Sequence, residues 1–461
     1  MNDPQAVLTA EEMRTAEQRL IDDGVSVDEL MLRAGQGAAE WVWRMAAGRS
    51  VTVLCGPGNN GGDGYVVAEV LRRRGLLVTV MAPLAPKSAA ARDAAARYQG
   101  PVGLEARGDV MVDCLFGTGL RKPLSHELEE LLSNLLRTHS FSIAIDLPSG
   151  MSSDTGELLN GDLPSYDLTL ALGAWKPAHW LMPGMAKMGE RRLVPIDLGE
   201  QPSPAALSRK PAFRVPLADA HKYARGLVAV VGGAMPGAAV LASQAAMRAG
   251  AGYTKLLAEK AAIEVPPDLV IGSGNLVLSL ADERINAVLV GCGLGRDGDA
   301  RARLEAALAS GHPLVLDADA LMLLTPQHVR ERAAPIILTP HAGELAQLCR
   351  AFAVSELGKV QQAQALARAS GTVVLAKGPD NVLADSERVR FFPPSTSWLS
   401  IAGTGDVLAG VVASRLACTG DPFRAAEEAV WLHGEAARLC LPPFTASDLA
   451  SAITVAYGSF F

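Results

Sequence analysis

Val51-Thr-Val-Leu-Cys-Gly-Pro-Gly-Asn-Asn-Gly-Gly-Asp-Gly-Tyr65 reads as a short strand, a glycine-rich turn and the start of a helix. Val51–Leu54 suits a strand covered on both faces, as in a mostly parallel sheet. Five glycines between Gly56 and Gly64 leave the backbone free to adopt positive φ and to come close to a ligand. A helix running on from Tyr65 offers unpaired amides to a phosphate. A tight turn explains glycines, but it does not need Asn59, Asn60 and Asp63. Those oxygen-bearing side chains suit a cation or a ribose.

The same alternation of short apolar runs and helical segments extends outward. Leu77–Met81, Val110–Leu115, Ser142–Ile145 and Leu168–Leu172 follow in the first half. Leu227–Val231, Ala287–Gly291, Leu314–Asp317, Pro335–Leu338 and Thr372–Ala376 follow in the second, and residues 405–456 read as three helices. Near the start, Thr9-x-x-Glu12 has the capping-box pattern of a helix N-terminus, and a second helix spans Val27 to Ala47. Pro202, Pro204, Pro211 and Pro216 break regular structure between the halves. The spacing predicts an α/β protein of two three-layer αβα domains, 1–200 and 217–461, joined by a linker at 201–216.

The 461 residues exceed one ordinary core. Hydrophobic residues at 49% and charged ones at 20% describe a chain that folds. A net charge of −7 disfavours nucleic acid or an anionic membrane as the main partner. The uncharged run Gly226–Met247 is long enough to span a bilayer, but Gly232, Gly233, Pro236 and Gly237 break it into strand, loop and helix. The opening residues lack the basic and apolar regions of a secretion signal. The six cysteines form no CxxC pair and have no histidine at zinc spacing. A cytoplasmic protein with reduced thiols is the expectation.

Two more strand ends in the first half carry ligand-binding chemistry. Asp113 leads into Phe116-Gly-Thr-Gly-Leu-Arg-Lys-Pro123, and Asp146 opens Asp146-Leu-Pro-Ser-Gly150. Ligands bind beyond the carboxyl ends of parallel strands, so these loops should converge. Helix capping explains one such aspartate better than three. Thr9-Ala-Glu-Glu-Met-Arg14, Leu30-Met-Leu-Arg-Ala-Gly35, the NNGGDG loop, GTGL and DLPSG, taken in order, resemble NAD(P)H-hydrate epimerase domains across nearly all of residues 8–200. That resemblance implies a potassium site from Asn60, Asp113 and Ser149. It implies contacts to hydrated NAD(P)H from Asn59, Asn60, Gly61, Gly62, Asp63, Gly117, Thr118, Gly119, Leu120, Arg121, Lys122, Pro123 and Asp146. Epimerisation at C6 of the hydrated ring needs an acid/base, and Asp146 is the candidate.

The second half opens with His221-Lys-Tyr-Ala-Arg-Gly226 and Gly232-Gly-Ala-Met-Pro-Gly237 and closes with Ala402-Gly-Thr-Gly-Asp-Val-Leu-Ala-Gly410. In the closing motif a helix N-terminus can hold phosphoryl charge, and Asp406 can take a proton from a hydroxyl attacking phosphorus. Gly291-Cys-Gly-Leu-Gly295, Asp317-Ala-Asp-Ala-Leu321, Leu338-Thr-Pro-His-Ala-Gly-Glu344 and Lys377-Gly378 lie between, each near a strand end. The ordered set resembles ribokinase-like NAD(P)H-hydrate dehydratase domains over roughly residues 210–458. By that resemblance Ala238, Gly293, Gly295, His341 and Asp406 meet the hydrated nucleotide. Lys377, Gly378, Pro379, Asp380, Asn381 and Gly405 hold ADP, which comes with Mg²⁺. Cys292 stands where the family commonly has proline. Asp380 beside a phosphate must point away or pair with a cation.

The whole reading is a bifunctional repair enzyme, with K⁺ in one site, ADP and Mg²⁺ in the other, and a homo-oligomeric assembly. Two alternatives remain at this point. One is a ribokinase-type small-molecule kinase with a regulatory N-terminal domain. The other is a non-catalytic scaffold, against which the joint presence of Asn60, Asp113, Asp146 and Ser149 speaks.

Overall fold

In a computed structural model the chain divides into two units, Met1–Leu207 and Ser208–Phe461. The structure describes residues 5–103, 108–199, 201, 203–258, 265–330 and 332–461.

In the first unit the sheet runs Val102–Gly103, Val78–Met81, Val51–Cys55, Val110–Cys114, Phe141–Ile145, Leu168–Leu172, Glu190–Val194 in spatial order. Every neighbouring pair is parallel. Period-two alternation sends Val51, Val53 and Cys55 into one core with the helices Ala10–Asp22, Val27–Ala46 and Asn59–Arg73. Leu54 and Met111 face the other way, against Leu132 and Leu135 of the helix His126–Thr138. Helices therefore cover both faces, which is why the central strands are mostly apolar. The strand order reverses between Val51–Cys55 and Val110–Cys114. Their following loops open the crevice where such folds bind ligands.

The first helix carries the expected capping box, Thr9 accepting from the Glu12 amide and Glu12 from the Thr9 amide. The stretch expected as irregular linker holds a strand. Ala205–Leu207 pairs antiparallel with Gln5–Ala6. Ala205-Ala-Leu207 lies between Pro204 and Pro211, so no proline interrupts that ladder.

The second unit orders its strands Val389–Phe391, Val382–Ala384, Val373–Ala376, Ile336–Leu338, Leu314–Leu316, Ile285–Val290, Leu227–Val231, Tyr253–Leu257, Val270–Gly272. The first two neighbouring pairs are antiparallel and the rest parallel. The helices Pro236–Arg248, Thr404–Thr419, Pro422–Leu439 and Ala446–Gly458 bury one face of this sheet. Gly298–Ala309 and Lys359–Ser370 pack on strands Ile285–Val290 and Val373–Ala376. The order reverses between Leu227–Val231 and Ile285–Val290, bringing the Gly232 and Gly291 loops together. Gly226–Met247 resolves into strand and helix, and no helix among the described residues is long and apolar enough to cross a membrane.

Candidate active sites

In the first unit the glycine segment differs from its sequence reading. The helix starts at Asn59, not Tyr65, so Gly61, Gly62, Asp63 and Gly64 lie in its opening turns. None of the five glycines takes positive φ. Four of them, all but Gly58, are needed for proximity. A Cβ on Gly61 would stand 1.9 Å from Gly56 O, one on Gly62 2.4 Å from Met31 Cε, and one on Gly64 2.7 Å from Cys114 Cβ.

Asp146 follows the strand Phe141–Ile145 with φ at +66°. Few non-glycine residues accept that region, aspartate among them. The Lys176 ammonium donates to its Oδ1 at 2.5 Å, and the Thr118 amide to Oδ2 at 3.3 Å. His179 Nε2 donates to the Asp146 carbonyl at 2.8 Å, while His179 Nδ1 accepts the Lys176 amide. Burial pushes His179 down to about 4, so its ring is neutral at physiological pH. A Cβ on Gly117 would lie 3.0 Å from Asp146 Oδ2 and 3.3 Å from Asn60 Cγ, which sets Asn60, Gly117 and Asp146 side by side.

Asp113 is fully buried. Its Oδ1 accepts from Ser149 Oγ at 2.8 Å, and its Oδ2 from the Ser149 amide at 2.9 Å and Tyr166 OH at 2.6 Å. Burial raises its carboxyl, with those hydrogen bonds pulling the other way. Asn60 Oδ1 and Nδ2 are buried with no partner. Such orphaned groups are rare in native proteins. Neither Asp113 nor Asp146 caps a helix.

In the second unit the helix Thr404–Thr419 starts from Gly403, whose φ of +92° suits glycine. Asp406 makes no capping bond there. Its carboxyl is raised, chiefly by burial, with a Cys292 hydrogen bond and Lys377 opposing the rise and Asp317 adding to it. Cys292 Sγ and carboxylate oxygens of Asp317 and Asp406 all lie within 4.8 Å of one another. Lys377 donates to Asp317 Oδ1 at 2.5 Å, and Thr339 Oγ1 to the same oxygen at 2.8 Å. A Cβ on Gly405 would lie 3.5 Å from Lys377 Nζ. This places an ammonium, a helix N-terminus and a raised carboxyl together, groups that can hold a phosphoryl group and accept a proton.

Residues 27–178 match the family model of the YjeF-related protein N-terminus, and residues 228–456 match that of NAD(P)H-hydrate dehydratase. A relative from Hyperthermus butylicus, the bifunctional NAD(P)H-hydrate repair enzyme Nnr, is 31% identical, with 93% of this chain and 88% of that one covered. The chain belongs to the bifunctional NAD(P)H-hydrate repair enzymes. The Escherichia coli K12 relative of the same name is 30% identical, with 98% of this chain and 93% of that one covered. Among solved structures, the ADP/ATP-dependent NAD(P)H-hydrate dehydratase from Bacillus subtilis, co-crystallized with ATP/Mg²⁺, aligns with a TM-score of 0.47 and 28% identity. That alignment covers 54% of this chain and 95% of that one.

Within this repair enzyme, Asn60, Gly117, Thr118 and Asp146 cluster, and Asp113 with Ser149 forms a bonded pair beside them. Ser149 Oγ also accepts the Phe116 amide. Asn59, Gly119, Arg121, Lys122 and Pro123 are exposed, and Leu120 packs beside the Leu132 core. In the second unit a Cβ on Gly293 would touch Ala238 Cβ at 3.0 Å, so those two meet, and Gly295 donates its amide to Asp319. His341 is itself a helix cap, its Nδ1 accepting from the Gly343 and Glu344 amides. Asp380 pairs with Lys359 at 2.6 Å, which meets the condition its charge imposed, and Asn381 Oδ1 holds the Gly378 amide. Pro379 is exposed.

Sequence reasoning missed Lys176, His179, Tyr166, Asp317 as a lysine partner, and Lys359. Lys176 had a usable signal. Ala174-Trp-Lys-Pro177 follows the strand Leu168–Leu172, at the same sheet edge as the loops already singled out.

Proposed function

We propose that the chain repairs hydrated NAD(P)H, the first unit interconverting the R and S forms and the second dehydrating the S form with ADP. One observation carries the second half. Asp406 lies in the first turn of a helix whose start stands beside Lys377, so base and phosphoryl-binding groups share one place. Asp406 takes the proton of the C6 hydroxyl as its oxygen attacks the terminal phosphorus of ADP, and AMP departs. The ring nitrogen then expels phosphate from C6, and loss of a C5 proton restores the dihydropyridine. The Lys377–Gly378–Pro379–Asp380–Asn381 segment and Gly405 hold the nucleotide. Mg²⁺ would arrive on the diphosphate, near the oxygens of Asp317 and Asp406, which suit a hard cation.

In the first unit Asp146 handles the proton as the C6–O bond opens and reforms. Potassium fits the residues present. Asn60 offers an otherwise unmatched carbonyl oxygen, and Asp113 with Ser149 supplies further oxygens close by. The ion would add positive charge near a pyrophosphate. Incubating the protein with a mixture of R- and S-NADHX and ADP while following NADH absorbance tests the reading. Complete conversion to NADH is expected. Conversion that stops when the S form is spent removes the epimerase, and none at all removes the dehydratase.

A further inference from the structure

Lys176 is only 1% exposed and follows a strand with no other cation in contact with Asp146 among the described residues. Its ammonium spends one proton on Asp146 Oδ1 at 2.5 Å and another on Leu172 O at 2.7 Å. Two further carboxyls, Asp63 and Glu17, feel its charge. Burial pushes both up, each feels the charge of Asp146 as well, and Lys176 pulls both back. Arg14 acts on Glu17, and Arg191 on the neutral His179. One buried ammonium thus serves three carboxyl groups.

A lysine that only balanced Asp146 could be replaced by any fixed cation. The reaction asks for more. When the C6–O bond breaks, oxygen takes the bonding pair and the N1 lone pair forms a C6=N1 bond. The ring becomes cationic, and the departing oxygen needs a proton to leave as water. We propose that Lys176 is the positioning residue that stores this proton and passes it through Asp146. On departure the ammonium proton passes to the Asp146 carboxylate and from it to the leaving oxygen, so the carboxylate ends as it began and the amine is left neutral. The positive charge has then moved from Lys176 to the ring, and the pocket's net charge is unchanged. That constancy matters where desolvated carboxylates cannot rearrange. Water then bonds C6 from the opposite face, the C=N pair returns to N1, and the proton runs back through Asp146 to Lys176. Protons, oxygen and charge balance over the cycle.

The inference rests on the epimerase reading, and the test separates the two. Lys176→Met should slow R/S interconversion by at least about 10²-fold. Lys176→Arg keeps a cation that cannot release its proton. It should stay slowed to a similar extent while KM changes by less than about threefold. Should arginine fit poorly in the pocket, Lys176→Ala with added alkylamines replaces it, the rescued rate rising with amine acidity. Arginine restoring the rate to near wild type, no rescue by amines, or a rescue indifferent to amine acidity overturns the proposal. A wild-type protein that does not interconvert R- and S-NADHX overturns the epimerase reading instead.

Discussion

Asp146 directly follows a parallel strand, Asp406 lies in the first turn of a helix beside Cys292 and Asp317, and the neighbours of the two treat charge differently. Asp146 holds its lysine directly, Lys176 Nζ lying 2.5 Å from Oδ1. At Asp406 the nearby lysine is engaged elsewhere, Lys377 pairing with Asp317 at 2.5 Å. Asp406 is left among Asp317, Cys292 and the helix start, and its carboxyl rises. The difference teaches that an acid/base group can be prepared in two ways. One carboxyl is bonded directly to a lysine, and the other is raised by desolvation and a like charge.

The sharpest way to break this comparison is a reciprocal one. Asp406→Asn should reduce NADH recovery from S-NADHX by about 10²–10⁴-fold and leave R/S interconversion intact. Asp146→Asn should do the reverse, by a similar factor. Coupled rates with purified R and S isomers check both, and a variant that loses both reactions sinks the independence of the sites. Stability should separate the same two variants. Asp146→Asn strands a buried ammonium, a loss of about 3–5 kcal/mol in chemical unfolding. Asp406→Asn removes a carboxyl that burial already disfavours, so its cost should be much smaller. Equal destabilisation would show that the Asp146–Lys176 bond is not the distinguishing feature.

Potassium sharpens the comparison at a lower level. Exchanging K⁺ for a bulky organic cation should slow interconversion by about tenfold, and Asp113→Ala should abolish the response. Dehydration should not follow the same cation series. The smallest effect is a pH shift. With Asp406 as the proposed base and its carboxyl raised, dehydration should fall as acid protonates it, along a limb above the usual aspartate range. Asp317 contributes to that rise. Asp317→Asn removes a negative charge, lowers the Asp406 carboxyl and should move the limb to lower pH by on the order of one unit. A limb that stays put or moves upward assigns the titration to another group.

Much of this was legible in the sequence because strands in parallel sheets are short and mostly apolar. Val51–Cys55, Val110–Cys114 and Leu227–Val231 all declare themselves that way. Glu190–Val194 did not. An edge strand with Glu190 and Arg192 facing solvent lacks the continuous apolar signal. Val382–Ala384 and Val389–Phe391 are too short for periodicity to register. The paired oxygens of Asp113 and Ser149 were within reach, since Asp113 is next to the last residue of its strand and Ser149 lies in the loop after the next strand. Lys176 and Lys359 were not picked out because a lone lysine in sequence reads as a surface charge. Only the fold shows that each is held between a carboxylate and a backbone carbonyl.

The contacts at Gly56, Gly61, Gly62 and Gly64 have a consequence for how the first unit recognises its ligand. A Cβ on Gly56 would meet Leu115 O at 1.7 Å, so two ligand-facing loops touch backbone to backbone. Nothing soft lies between them. The crevice is thus shaped during folding, and little conformational entropy is left for the nucleotide to remove on arrival. An alanine at Gly61 or Gly64 would pry the helix from the strand ends without deleting a single polar contact. The result would be weaker binding with an unchanged inventory of donors and acceptors, a loss of preorganisation alone.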